Sequence, residues 1–159
     1  MNLEELYKLL RDNIFLNNNK NIKDLYKIIK KYNGTDWMQF VNINKDNYNK
    51  IYINGNDDFE IFIITWNSYQ ESKIHDHSAK GCIYKILKGH LVEEEYDNNL
   101  KLLSVKSFFS DSYNIGYIDN SISLHKIINY NDSIAVSLHI YSPPNYNTKY
   151  FNTNDSDNI

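Results

Sequence analysis

The sequence predicts a mainly β protein, a small antiparallel barrel, closed or nearly closed, behind a set of N-terminal α-helices. Three observations carry this. Apolar residues recur at helical spacing up to residue 47; from Asn49 onward, short β-branched and aromatic runs take over; and turn residues punctuate those runs. With 159 residues and 42% hydrophobic content the chain can close one core, so a single domain is expected over 1–159. Within it, 1–47 is the helical part, 48–151 the barrel, and 152–159 a polar tail expected to fray.

Leu3, Leu6, Tyr7 and Leu10 fall at i, i+3, i+4 and i+7, and Ile22, Leu25, Tyr26 and Ile29 repeat the pattern after a loop at Asn17-Asn18-Asn19. Thr35, after Gly34, can cap a third short helix containing Trp37 and Phe40. All three are expected to pack on a sheet. Strands follow at 50–53, 59–66, 73–77, 82–87, 90–96, 100–108, 115–118, 121–128 and 133–141. Turn residues join them at Asn54-Gly55-Asn56, Lys88-Gly89-His90, Asp97-Asn98-Asn99, Asp119-Asn120 and Asn131-Asp132. The last long strand alternates unusually. Ile134, Val136, Leu138 and Ile140 share one face, while Ala135, Ser137, His139 and Tyr141 share the other. If the second face points into a barrel, its hydroxyl, imidazole and phenol can form a hydrogen-bonded row; on an outer face they would simply meet water.

Composition excludes several roles. The net charge of −3, with lysines scattered among acids, gives no basic stripe for nucleic acid. No apolar run approaches bilayer length, and the N-terminus carries Glu4 and Glu5 where a secretory signal needs a basic stretch, so a cytoplasmic protein is expected. A single cysteine, Cys82, rules out an internal disulfide and leaves either a core thiol or a functional one.

Lys73-Ile74-His75-Asp76-His77 reads as a strand, and residues two apart on a strand share a face, so His75 and His77 are offered to one point. Cys82 and Gly89 follow at set distances, and Leu124-His125 supplies a third histidine, with Asn129 beyond it. This is similar to the two-part signature of the cupins, with Cys82 where most cupins carry a metal-binding glutamate. The implied fold is the cupin barrel, a double-stranded β-helix or jelly roll.

Four longer segments resemble the cysteine dioxygenase family. They are Ser72 to His77, Cys82 with Lys85-Ile86-Leu87-Lys88-Gly89, Gly116 to His125, and Ala135-Val136-Ser137-Leu138-His139-Ile140-Tyr141-Ser142-Pro143-Pro144. The likeness runs from the first helices to Phe151, without the further C-terminal segment that the family usually carries, so one side of the pocket is expected to be more open. The resemblance implies one ferrous ion per chain on His75, His77 and His125, and oxidation of L-cysteine by dioxygen to cysteine sulfinate. It also implies catalytic roles for Cys82, Ser137, His139 and Tyr141, with a thioether between Cys82 and Tyr141. A small-molecule thiol and dioxygen are the implied partners, and a monomer is expected, since no apolar stripe argues for assembly.

Tyr48 matches a pocket tyrosine of the family, and Lys50 stands where the family has an arginine that grips the substrate carboxylate. Lysine offers a compact ammonium and cannot make the paired contact of a guanidinium. The chain's only arginine is Arg11, in the first helix. Another small thiol, 3-mercaptopropionate or cysteamine, therefore stays open as substrate, as does a non-catalytic metal-binding cupin. His90 is expected at a turn, facing solvent, and Trp66 in the core.

Overall fold

The computed structural model describes residues 1–17 and 21–153; Asn18 and Asn19 of the expected loop and positions 154–159 of the expected tail lie outside them. The chain starts with α1 (Leu3–Asn17) and α2 (Tyr26–Lys31), with 3-10 turns at Lys23–Leu25 and Asp36–Phe40. Thr35 precedes the second turn but makes no side-chain cap bond. Asp36 does the local work instead, accepting from the Leu3 amide at 2.7 Å and the Tyr32 hydroxyl at 3.0 Å. Tyr26 also departs from the expected apolar stripe and is exposed.

Ten strands follow: β1 (Asn49–Gly55), β2 (Glu60–Trp66), β3 (Ile74–His75), β4 (Cys82–Lys88), β5 (His90–Tyr96), β6 (Leu102–Phe109), β7 (Ile115–Ile118), β8 (Leu124–Ile128), β9 (Ala135–Tyr141) and β10 (Tyr150–Phe151). They form two five-stranded sheets, ordered β1-β2-β9-β4-β7 and β10-β3-β8-β5-β6, with antiparallel pairing throughout. The sequence pattern found nine of them. It missed β10, whose two residues are too few to show a period, and it ran the β3 strand past its true end at His75.

Both faces of β9 are buried, which resolves its unusual alternation. Val136, Leu138 and Ile140 pack outward under Leu6, Leu10, Leu25 and Ile29 of the helical layer. Ala135 faces the opposite way, into the cluster that includes Ile64, Trp66, Cys82, Tyr84, Phe108 and Ile127. The N-terminal helices thus cover one sheet from outside, and the space between the sheets holds this second, largely apolar cluster together with the polar groups of the site. At the β4–β5 turn, Gly89 takes a φ of +78°, a conformation that costs glycine little. Lys85, buried on β4, donates to the carbonyls of Ile29 and Lys30 at the end of α2 and so ties the helical layer to the sheet.

Contrary to expectation, one strand carries exposed apolar residues: Leu102, Leu103, Val105 and Phe109 on the sheet-edge strand β6. Among the described residues no helix is long and apolar enough to cross a membrane.

Candidate metal centre

His75 and His125 are direct partners in the β3–β8 ladder, and cross-strand partners share a face, so their rings meet inside the barrel with Nε2 atoms 3.1 Å apart. His77 joins them by another route than the expected strand alternation. The strand ends at His75, and Asn120 holds His77 from both sides, its Oδ1 accepting from the His77 amide and its Nδ2 donating to the His77 carbonyl, each at 2.8 Å. Asp76, between the two histidines, anchors the segment after β9 by accepting from the Tyr146 hydroxyl at 2.7 Å and the Lys149 amide at 2.8 Å.

The donor atoms of the three imidazoles lie within 4.8 Å of one another. His75 Nδ1 donates to the Lys73 carbonyl at 2.8 Å and His125 Nδ1 donates to the Glu93 carboxylate at 2.6 Å, so both Nε2 atoms turn lone pairs toward each other. His77 is buried with neither ring nitrogen partnered. Burial holds all three rings well toward the neutral form, with mutual repulsion adding at His77 and His125. Facing lone pairs and an orphaned imidazole are unfavourable by themselves. A cation among them removes the conflict: two nitrogens each about 2.1 Å from one ion stand roughly 3 Å apart, the spacing of the His75–His125 pair. The residues present therefore fit a metal ion.

Glu93, on β5 and 1% exposed, was not anticipated from sequence. Burial pushes its carboxyl up to about 7. A carboxylate on the far nitrogen of a ligand histidine fixes its tautomer and ring orientation. The signal was available, since three consecutive acids, Glu93-Glu94-Glu95, on an alternating strand must send at least one inward. Glu95 also points in, held by Ser104 at 2.6 Å and Lys106 at 2.5 Å.

The β9 row continues the site. Trp66 Nε1 donates to Ser137 Oγ at 2.9 Å, and Ser137 lies 2.8 Å from His139 Nε2. Indole can only donate, so the serine proton is free for Nε2, and His139 then carries its own proton on Nδ1. That Nδ1 is 3.3 Å from the Tyr141 hydroxyl and 3.7 Å from Cys82 Sγ. Trp66, expected as plain core, is buried but also starts this chain. Cys82 and Tyr141 are ladder partners on β4 and β9. Burial pushes the Cys82 thiol up to about 12, and burial together with the facing thiol holds the Tyr141 phenol well above its ordinary value, so both keep their protons. Tyr84 stacks on His139 at 5.3 Å, and there is room for it only because residue 116 is glycine: a Cβ there would come within 2.2 Å of the Tyr84 ring.

A cavity of about 60 Å³ opens beside the histidines, lined by Tyr48, Lys50, Trp66, His139, Tyr141 and Tyr150 among others. Its size admits only compact ligands. Tyr48 stacks on Trp66 at 4.6 Å. Lys50 is exposed as a residue, yet its ammonium lies 4.0 Å from the Phe62 ring centroid and 4.2 Å from that of Tyr141. Asn129, the last residue of the sequence signature, is fully buried and donates to the carbonyls of Trp66, Asn67 and Ser133, a staple between loops. His90 stacks on Phe109 at 4.2 Å, half-buried where solvent was expected, and stands outside the histidine cluster.

Two antiparallel sheets enclosing a three-histidine centre define a metal-binding cupin. Solved structures agree on the fold. A Klebsiella pneumoniae protein with a double-stranded β-helix domain superposes with a TM-score of 0.61 at 11% identity, over 77% of this chain and 97% of that one. A Desulfitobacterium hafniense cupin superfamily protein gives 0.54 at 11% identity, over 70% and 92%. Sequence comparison is more specific: the model of the family Cysteine dioxygenase type I matches residues 2–154. Cysteine dioxygenase type 1 of Danio rerio is 34% identical over 151 residues, covering 89% of this chain and 75% of the relative. The Rattus norvegicus protein of the same name is 29% identical over 152 residues, covering 89% and 74%. The chain belongs to the cysteine dioxygenase type I family.

Proposed function

We propose that this chain is an iron(II)-dependent thiol dioxygenase that converts L-cysteine and dioxygen to cysteine sulfinate. The observation that carries this is the coincidence, in a member of this family, of three neutral imidazoles aimed at one point with the Ser137, His139 and Tyr141 row at the same cavity. Bound at His75, His77 and His125, iron would supply the redox chemistry between thiolate and dioxygen. Three neutral ligands leave the ion's full charge to attract an anionic sulfur.

The remaining steps belong to side chains. Lys50 neutralises the substrate carboxylate, and Tyr48 forms the wall beside it. His139 holds the Tyr141 hydroxyl through its Nδ1 proton, while Trp66 and Ser137 fix the imidazole from the other side. Tyr141, keeping its proton, offers a hydrogen bond to the sulfur-bearing end of the substrate. The ladder pairing of Cys82 with Tyr141 supports a thioether. Its S–C bond would replace the thiol hydrogen and one ring hydrogen, whose two protons and two electrons would pass to a separate molecule of dioxygen and leave as hydrogen peroxide. Intact mass after turnover is then expected to fall by two hydrogens, and peptides that always keep Cys82 and Tyr141 separate would contradict the bond.

Lys50 supports a second reading, another small thiol: cysteamine, because a lone ammonium holds a carboxylate less firmly than a guanidinium, or 3-mercaptopropionate, because a point charge fixes the carboxylate's direction less than a paired contact does. Oxygen uptake by iron-loaded protein with each of the three thiols, together with sulfinate detection, decides between them. Cysteine is expected to be fastest; a higher rate with another thiol would move the assignment to it, and no uptake with any would leave a binding protein only.

A further inference from the structure

We propose that Tyr150 is a specificity-determining residue of this cavity: with Tyr48 it supplies the directional hydrogen bond to a substrate carboxylate that Lys50, a point charge, cannot provide. This rests on the thiol-oxidation reading above and concerns how the substrate is held.

The placement comes from the ladder. Tyr150 pairs with His75, His75 with His125, and His125 with Glu95, so one cross-strand row runs from Tyr150 through two of the imidazoles. Partners in such a row project to the same face. Accordingly, the Tyr150 ring centroid is 6.2 Å from that of His75, and the residue lines the cavity together with Tyr48, Lys50 and Thr148. Its segment is not loose: both carboxylate oxygens of Asp76 grip it, through Tyr146 and the Lys149 backbone. Tyr48 lines the same cavity while Tyr150, 57% exposed, stands at its open side, and burial, with Tyr150 as neighbour, pushes Tyr48 up, so Tyr48 stays a donor.

Chemistry then assigns the ends. A small amino thiol bound by sulfur and nitrogen near the histidines must direct its carboxylate away from them, toward Lys50 and the two phenols. The ammonium brings charge but little direction, whereas a phenol brings one oriented O–H bond. A site that hydrogen-bonds a substrate group discriminates against an analogue lacking it. Cysteamine, which has no carboxylate, is that analogue.

The test is anaerobic calorimetric titration of the iron-loaded wild type and Tyr150→Phe with L-cysteine, 3-mercaptopropionate and cysteamine. Loss of one such bond is expected to weaken the two carboxylate-bearing thiols by about five- to tenfold and cysteamine by less than about twofold, at equal iron content. Unchanged affinities, or equal loss for all three thiols, would overturn the role of Tyr150. Because these titrations need no turnover, they stand apart from the reaction itself: failure of oxygen uptake in air would overturn the proposed activity, and the dissociation constants would still decide Tyr150. Absence of thiol binding to the wild type would overturn both. Where turnover occurs, the same variant should raise KM for cysteine by the same factor and leave kcat nearly unchanged.

Discussion

The histidine end of the cavity and the end proposed to take the substrate carboxylate are built on different parts of the sheets. His125 rises from β8, the middle strand of its sheet, His75 from its neighbour β3, and Ser137, His139 and Tyr141 from β9, the middle of the other sheet. Lys50 and Tyr150 come from β1 and β10, each at an edge of its sheet, and Tyr48 sits just before β1. A middle strand is hydrogen-bonded on both sides, and an edge strand on only one. Apart from His77, which Asn120 holds beyond the end of β3, the groups that must meet within tenths of an ångström therefore stand where the backbone is held twice. The groups proposed to select among substrates stand where a side chain can change without disturbing the sheet, as the proposed role of the lysine at position 50 requires.

The largest effect should follow damage at the held end. Replacing His125 with alanine is expected to lower iron affinity by more than about 100-fold, beyond what a supporting residue contributes, measured as iron per chain after gel filtration. Retention of full iron would break the contrast. Glu93→Gln tests the support itself. Affinity should fall by about 10- to 100-fold in competition with a chelator, with the fold intact by circular dichroism; an unchanged value would make Glu93 a mere core acid. At the edge the effect should be smaller and in the favourable direction. Lys50→Arg is expected to tighten cysteine binding by about five- to tenfold through the second contact of the guanidinium, and Lys50→Ala to weaken it. Indifference to both would remove Lys50 from the substrate site.

The same division explains what was legible in the sequence. The helices, nine strands and all three histidines showed because long periodic segments and fixed motif spacings leave a mark. The burial of both faces of β9 could be read from its alternation once the upstream apolar helices were seen as a cover for one of them. His77 was placed correctly for a partly wrong reason, since Asn120, distant in sequence, does what strand alternation was expected to do. Glu93 was overlooked although its run of acids pointed inward. Tyr150 left no pattern, because a two-residue strand acquires its meaning only from the neighbour it pairs with.

The most direct test of a three-imidazole centre is an iron anomalous difference map from a crystal of the iron-loaded protein. A single peak is expected, about 2.1 Å from one nitrogen each of His75, His77 and His125. A peak elsewhere, or one bound while His125 points away, would contradict the account.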